Sequence, residues 1–221
     1  GIAKLVKAKN PRAIFHSDGV QAYGKLPFKL AKEVDLYSVS AHKIGGLKGV
    51  GALIKRKSLV LPAYIIGGGQ ESGRRRNKEN TFGIMHFVYA AEEKFATLQE
   101  DYARLTTYRE NLWSALDKNV YARLSAESGT PYILSVSAAG LRGEILLHMA
   151  DDKGLIVGTG SACSSNSKNR YSKVVLACGY DEKTADGVLR ISFSPLTTER
   201  EVAQAAVILN EIGNDLKKRM K

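Results

Sequence analysis

A lysine and a cysteine in distinctive surroundings are the residues of this chain best suited to covalent chemistry. Lys43 lies in the run Ser-Ala-His-Lys-Ile-Gly-Gly of residues 40–46, and Cys163 lies among Gly, Ser, Ala and Thr at residues 158–165. A lysine amine can hold an aldehyde as a Schiff base, and a thiolate in an exposed loop can attack a bound substrate. Together the two residues indicate sulfur chemistry on pyridoxal phosphate (PLP).

Polar residues near the ends of predicted strands could bind the remainder of such a cofactor. Asp18 follows a predicted strand, where a carboxylate can face a ligand at the carboxyl edge of a sheet and keep a pyridine ring protonated. Ser40 and His42 are hydrogen-bond donors beside Lys43 that could hold a phosphate, and the glycines that follow permit close backbone approach. The alternative interpretation is a turn aspartate and solvated side chains.

Three further features carry weaker signals. Arg190 alternates with apolar residues on a predicted strand, so its side chain should point away from theirs. There it could bind a carboxylate through two hydrogen bonds, or it could be an ordinary surface arginine. Residues 67–80 are rich in glycine and end in several cations, which favours anion capture and a solvated loop about equally. Cys178 ends an apolar helical pattern, which predicts a buried structural cysteine.

The elements that would position these residues follow from the hydrophobic pattern and the turn residues. Strands are predicted at residues 13–16, 35–40, 51–55, 131–138, 154–158 and 188–193. Helices are predicted at residues 2–6, 87–116, 141–152 and 197–221, the last with Thr197 or Thr198 as its N-cap. Alternating strands and helices indicate an α/β or α+β protein. The long helix would lead from a first domain, residues 1–100, to a second, residues 101–221.

The composition is that of an ordinary globular protein, with 44% hydrophobic and 25% charged residues among 221. We expect no membrane span, no export signal and no metal site. Two cysteines are too few for a disulfide framework, so a cytoplasmic location is the expectation. The net charge of +11 is spread over the chain without interleaved aromatic residues, so a solvated basic surface is favoured over nucleic-acid binding.

In their order along the chain, the motifs resemble the NifS/IscS-type cysteine desulfurases, a group of class V PLP-dependent enzymes. The resemblance covers essentially the whole chain. Its motifs are Asp18-x-x-Gln21, Ser40-x-His42-Lys43, Gly67-Gly68-Gly69-Gln70-Glu71, Gly160-Ser161-Ala162-Cys163-Ser164-Ser165 and Arg190-Ile191-Ser192. It implies the fold type I of PLP-dependent transferases: the end of the large, PLP-binding domain, followed by the small α+β domain with the cysteine loop. The amino-terminal part of the family fold is expected to be absent, which would leave this chain alone an incomplete enzyme.

The resemblance assigns PLP-binding roles to residues of the first domain. Lys43 would form the Schiff base with PLP and move the α-proton of the substrate. Asp18 would pair with the ring nitrogen and Gln21 with the phenolic oxygen. Ser40 and His42 would bind the phosphate.

The resemblance also implies the reaction and its partners. Arg190 would hold the carboxylate of the substrate L-cysteine, and Cys163 would take the sulfur as a persulfide and release L-alanine. A scaffold-type acceptor protein would receive the sulfur for iron–sulfur cluster biogenesis, and the enzyme would be a homodimer.

The chain departs from the family pattern after the glycine-rich segment. Ser72 stands where the family has an arginine, and residues 76–78, Arg-Asn-Lys, stand where it has Ser-Gly-Thr. The family's threonine reaches the phosphate of the neighbouring subunit. Lys78 could bind that phosphate instead, as a point charge.

Two alternatives to a cysteine desulfurase stay open. A selenocysteine lyase or an aminotransferase of the same fold is one, because Cys163 does not separate sulfur from selenium substrates. A non-catalytic relative that binds a partner or nucleic acid is the other, because of the altered loop and the high basic charge.

Overall fold

The computed structural model describes residues 1–63, 67, 69–74, 78–160 and 171–219. The chain forms two compact units, Gly1–Glu100 and Asp101–Lys221. The boundary falls inside the long helix α3 (Thr81–Ala115), which contributes residues to both units. The functional roles expected of the two parts stay predictions.

The first unit is built on a three-stranded sheet in the order β1, β2, β3. Its strands are β1 (His16–Asp18), β2 (Leu36–Ser40) and β3 (Gly51–Lys55). β1 runs parallel to β2, and β3 runs antiparallel to it. The helices of this unit are α1 (Ile2–Lys9), the short α2 (Gln70–Gly73) and the first part of α3.

One face of this sheet packs against helices because its side chains alternate. Tyr37 and Val39 on β2 are buried together with Ala3 of α1 and Val34. Partly buried aromatic side chains surround this cluster, those of Phe15, Tyr23 and Phe87. The ring of Tyr23 makes edge-to-face contacts with Phe87 and Phe95 of α3, which hold the turn after β1 against that helix.

The second unit is built on a four-stranded antiparallel sheet in the order β4, β5, β7, β6. Its strands are β4 (Ala122–Arg123), β5 (Ile133–Ser137), β6 (Gly158–Thr159) and β7 (Val188–Ser192). Its helices are the rest of α3, α4 (Gly143–Asp151), α5 (Lys173–Ala177), α6 (Glu182–Asp186) and α7 (Glu199–Arg219).

The core of the second unit lies between one face of this sheet and the long helices. Leu134, Leu189 and Leu209 are fully buried at its centre, as is Leu105 of α3. Tyr121 is buried as well, and its hydroxyl donates a hydrogen bond of 2.6 Å to the carbonyl of Leu209 on α7. The unit therefore has its own apolar core.

The predicted elements are largely present, with shifted ends. Residues 51–55 form a strand as predicted, and the strand predicted at residues 35–40 begins one residue later. The helix predicted from residue 87 begins at Thr81, because Asn80 Oδ1 accepts a hydrogen bond of 3.0 Å from the Gly83 N–H. Thr198 is the N-cap of α7, since its Oγ1 accepts from the Glu201 N–H at 3.2 Å.

Two predicted strands are wrongly placed. The strand predicted at residues 13–16 is instead β1 (His16–Asp18), because Phe15 bonds to the Asp35 carboxylate before pairing with β2 begins. The strand predicted at residues 154–158 is only Gly158–Thr159. The residues before it form a turn in which the Leu155 N–H bonds back to the Ala150 carbonyl of α4 at 2.9 Å.

Among the described residues, no helix combines the length and the hydropathy that crossing a membrane requires.

Candidate active site

The carboxyl ends of the parallel strands β1 and β2 lie at the same edge of the first sheet. Asp18 is the last residue of β1 and pairs with Ser38, two residues before Ser40 ends β2. Asp18 is therefore the last residue of the strand itself, whereas the sequence predicted that it follows the strand. This edge is where ligands bind in open α/β sheets, because polar loops converge there.

The turn after β2 presents Lys43 and two hydrogen-bonding side chains. Residues Ala41–Ile44 form a single turn of 3₁₀ helix that ends at Gly45, whose φ of 95° is left-handed and suits a glycine. Ser40 Oγ lies 2.8 Å from His42 Nδ1. If the hydroxyl is the donor, the ring proton is on Nε2, which then faces outward as a donor for an anion. Lys43 is half-buried beside them.

The turn after β1 carries Gln21 and a second lysine. Asp18 Oδ1 accepts a hydrogen bond of 2.9 Å from the Val20 N–H, which shapes the entry to this turn. Four residues beyond Gln21, Lys25 donates from Nζ to Gln21 Oε1 at 3.0 Å. Burial and, secondarily, the positive charge of Lys43 lower the pKa of Lys25. The two lysines thus share one local environment.

A buried tyrosine packs against the backbone at the same edge of the sheet. The Tyr37 ring lies so close to Gly19 that a Cβ on Gly19 would sit 1.8 Å from the ring carbon Cζ. Only a glycine can follow Asp18 in this arrangement. Burial raises the pKa of Tyr37, and the Asp18 carboxylate raises it further. The Tyr37 hydroxyl is buried without a hydrogen-bond partner among the described residues.

The glycine-rich segment after β3 has an unusual backbone. Glu71 and Ser72 both have left-handed backbone angles, with φ of 51° and 57°, a region that side chains other than glycine rarely adopt. Such strain often lies at functional sites. Lys78 is exposed shortly before α3, and residues 75–77 lie outside the described residues.

The second unit carries Arg190 on β7. Its side chain is exposed between buried Leu189 and Ile191, as the alternation predicts. The guanidinium lies over Gly158 of the neighbouring strand, where a Cβ would be 3.2 Å from Nη2. A glycine at residue 158 therefore leaves room for the arginine.

Of the two cysteines, the structure describes only Cys178. Cys163, the predicted nucleophile, lies outside the described residues. Cys178 is exposed, so the prediction of a buried structural cysteine is wrong. The short helix α5 (Lys173–Ala177) has no buried residue, and Cys178 is its C-cap, so the apolar pattern did not indicate a buried face. Burial therefore gives no reason to exclude Cys178 as a reactive thiol.

The residues at the edge of the first sheet fit PLP by the chemistry of their side chains. A hydroxyl and an imidazole suit the phosphate, a carboxylate suits a protonated ring nitrogen, an amide suits the ring oxygen, and an amine suits the aldehyde. Asp18, Gln21, Ser40, His42 and Lys43 supply these groups from the ends of two adjacent strands and the turns that follow them, all in one unit.

Two residues of this site did not emerge from the sequence. Lys25 had a signal, since it stands four residues after Gln21, a spacing at which two side chains meet across a helical turn. Tyr37 gave no signal beyond its place in an apolar strand, because its contact with Gly19 depends on how β1 and β2 pair.

Comparison with known proteins identifies the family of this chain and several named relatives. The family model for "Aminotransferase class-V" matches residues 1–204. A cysteine desulfurase of Sinorhizobium fredii is 34% identical over 98% of this chain and 57% of its own length. A cysteine desulfurase IscS of Shewanella loihica is 39% identical over 92% of this chain and 50% of its own length. The chain thus spans about half the length of the curated relatives it matches.

Solved structures give the same result at the level of the fold. A NifS-like protein superposes with a TM-score of 0.84 at 34% identity, covering 96% of this chain and 55% of the other. A NifS-like protein from Rickettsia africae superposes with a TM-score of 0.82 at 30% identity, covering 96% of this chain and 57% of the other. The chain therefore has part of the fold of the NifS-like proteins. With the family model matched over nearly all of its residues, this chain belongs to the aminotransferase class-V family.

Proposed function

We propose that this protein acts as a PLP-dependent cysteine desulfurase. The observation that carries the proposal is the convergence of Asp18, Gln21, Ser40, His42 and Lys43 on one sheet edge, in a chain similar to named cysteine desulfurases. Ser40 and His42 would bind the phosphate, and Lys78 would bind the phosphate of the neighbouring subunit. Asp18 would bond to the ring nitrogen, and Gln21 would bond to the ring oxygen.

When bound, PLP supplies an electron sink for the bond changes at the substrate α-carbon. Lys43 Nζ would hold PLP by its aldehyde and would move the substrate α-proton. Arg190 binds the carboxylate of L-cysteine through two parallel N–H···O hydrogen bonds. These residues orient the substrate so that its sulfur is accessible to a nucleophile.

Cys163 is the nucleophile of the proposal. Its thiolate attacks the substrate sulfur, a sulfur–sulfur bond forms, and the carbon–sulfur bond breaks with its electron pair left on carbon. Protonation of that carbon completes L-alanine, and the sulfur stays on the enzyme as a persulfide. Since Cys178 is exposed and burial does not exclude it, the assignment rests on the Gly-Ser surroundings of Cys163 in the sequence and on the family resemblance.

The proposal extends to the cellular setting. The persulfide sulfur passes to a scaffold-type acceptor protein for iron–sulfur cluster assembly, and the enzyme acts as a homodimer. Exposed apolar side chains on α3, Phe82 at 74% and Tyr89 at 63%, support coverage of this helix by another protein surface. A cytoplasmic location suits the mechanism, since the thiol must stay reduced between turnovers.

A chimera tests the proposal. The segment of the Shewanella loihica relative that matches this chain is replaced by this chain, and alanine and sulfide formation from L-cysteine are measured. We expect activity that is abolished by Lys43→Ala or Cys163→Ser and retained in Cys178→Ser. A folded chimera that binds PLP but makes no alanine would contradict the proposal. Loss of activity in Cys178→Ser alone would reverse the cysteine assignment, and turnover restricted to selenocysteine would favour a selenocysteine lyase.

A further inference from the structure

Lys25 lies beside the turn that carries Lys43, although no role in the proposed reaction has been given to it. The preceding residue, Gly24, has a left-handed φ of 66°, and a Cβ there would lie 2.8 Å from Cγ2 of Ile44. The backbone before Lys25 therefore packs directly against the Lys43 turn. This close approach requires a glycine at residue 24 and fixes where the Lys25 side chain begins.

The hydrogen bond from Lys25 fixes the orientation of the Gln21 amide. An ammonium group can only donate, so the atom of Gln21 that lies 3.0 Å from Lys25 Nζ must be the carbonyl oxygen Oε1. The amide nitrogen Nε2 is on the opposite branch and can only donate. Gln21 is exposed, so this donor is accessible to a ligand. With Lys25 in place, Gln21 presents N–H groups and not a carbonyl to its surroundings.

The charge balance around Lys25 is consistent with a role at the site. Lys25 is half-buried, and burial together with the charge of Lys43 lowers its pKa. Keeping a second amine next to Lys43 costs free energy through like-charge repulsion. The hydrogen bond to Gln21 offsets part of that cost.

We propose that Lys25 is a positioning residue that locks the Gln21 amide as a hydrogen-bond donor toward an anionic oxygen on the ring of the bound ligand. The inference rests on the proposed function, since the ligand is PLP and the oxygen is its phenolic oxygen. Without Lys25, the amide can rotate and present its carbonyl oxygen, which repels an anionic oxygen. Lys25 acts through Gln21 and does not itself contact the ligand.

The first test measures PLP binding to this chain by absorbance titration, without turnover. Lys25→Met should weaken PLP binding about tenfold, the typical effect of losing one hydrogen bond to a charged group. Lys25→Arg should retain affinity within about threefold, since a guanidinium also only donates. Lys29→Met, at an exposed lysine four residues further on, is the matched control and should leave affinity unchanged. Wild-type affinity in Lys25→Met would overturn the inference.

The combination of two variants separates positioning from a direct contact. If Lys25 acts through Gln21, Lys25→Met should add less than about twofold to the loss caused by Gln21→Ala. Fully multiplying effects would show that Lys25 acts independently of Gln21 and would overturn the inference.

A second measurement needs no PLP, so it can contradict the inference about Lys25 independently of the proposed function. In the ¹⁵N-labelled chain without ligand, Lys25→Met should shift the side-chain amide resonances of Gln21, because Oε1 loses the hydrogen bond that it accepts, and Lys25→Arg should not. If the chimera binds no PLP, the proposed function fails, and this measurement alone decides the orientation. An unchanged Gln21 amide in Lys25→Met would overturn the inference in either case.

Discussion

Arg109 shows how a single buried charge organises a loop of the second unit. Its side chain is 2% exposed and donates hydrogen bonds to the carbonyls of Glu127, Gly129 and Thr130, at 2.6, 2.7 and 3.0 Å. It also forms an ion pair with Glu110. The loop that joins β4 to β5 is therefore attached to α3 through one guanidinium, which donates to three of its carbonyl groups.

Replacing Arg109 should be strongly destabilising. Arg109→Met removes the guanidinium donor from three carbonyls and one of the donors from the Glu110 carboxylate, so we expect the free energy of unfolding to fall by about 3–5 kcal/mol in urea titration. Arg142→Met is the matched control, because the Arg142–Glu144 pair is at the surface, with side chains 47% and 66% exposed. That control should change stability by less than about 1 kcal/mol. Equal effects in the two variants would refute the role of Arg109.

At the scale of elements, Glu110 links α3 to β4. Its carboxylate accepts two hydrogen bonds from Arg123, at 2.7 and 2.8 Å, and one from Arg109 at 2.9 Å. The hydrogen bonds from Arg123 lower the pKa of Glu110 most, burial opposes them, and Arg109 lowers it further. Arg123 is one of the two residues of β4, so this ion pair attaches the strand to the helix.

The pH dependence of stability tests this link. Because the folded-state pKa of Glu110 is lowered, its contribution is complete above the unfolded value of about 4.5 and is lost as pH falls through the lower folded value. The difference in unfolding free energy between wild type and Glu110→Gln should thus be largest near pH 7 and shrink below about pH 4.5. In an Arg123→Met background this pH dependence should weaken. A constant difference from pH 3 to 7 would contradict the account.

The elements also show what a sequence can predict. β2 has an alternating pattern and β3 is a short apolar run after a glycine, and their bounds agree with prediction to within one residue. β4 was not predicted, because two residues of strand are defined by pairing with β5 and not by a local pattern. Cys178 was misplaced for a related reason, since the apolar pattern of α5 does not tell whether the helix is packed, and α5 has no buried residue.

The residues of the candidate site also divide into those with a local sequence pattern and those placed only by the fold. Residues with a chemical signature, such as Lys43 with His42, could be identified from neighbouring residues along the chain. Lys25 and Tyr37 belong to the site only through contacts made in three dimensions, with the Lys43 turn and with Gly19. Residues whose role is to position others carry little signal in sequence, because any packed lysine or tyrosine has the same local pattern.

At the scale of the whole molecule, this chain matches only about half of the length of its relatives, and this affects the activity that we expect of it. The chain spans 57% of the Sinorhizobium fredii relative and 50% of the Shewanella loihica relative. A preorganised site needs every group that contacts the ligand held in place. We therefore expect this chain alone to bind PLP weakly and to form alanine slowly, whereas the residues at the edge of the first sheet should still direct PLP to one lysine.

Borohydride trapping of PLP tests that central claim most directly. The chain is incubated with PLP and reduced, and the modified lysine is identified by peptide mass spectrometry, which accumulates label even when binding is weak. We predict that Lys43 carries the phosphopyridoxyl group in clear excess over every other lysine, and that Lys43→Ala removes this preference. Label concentrated on another lysine, Lys25 included, or spread evenly over exposed lysines would contradict the account of the site.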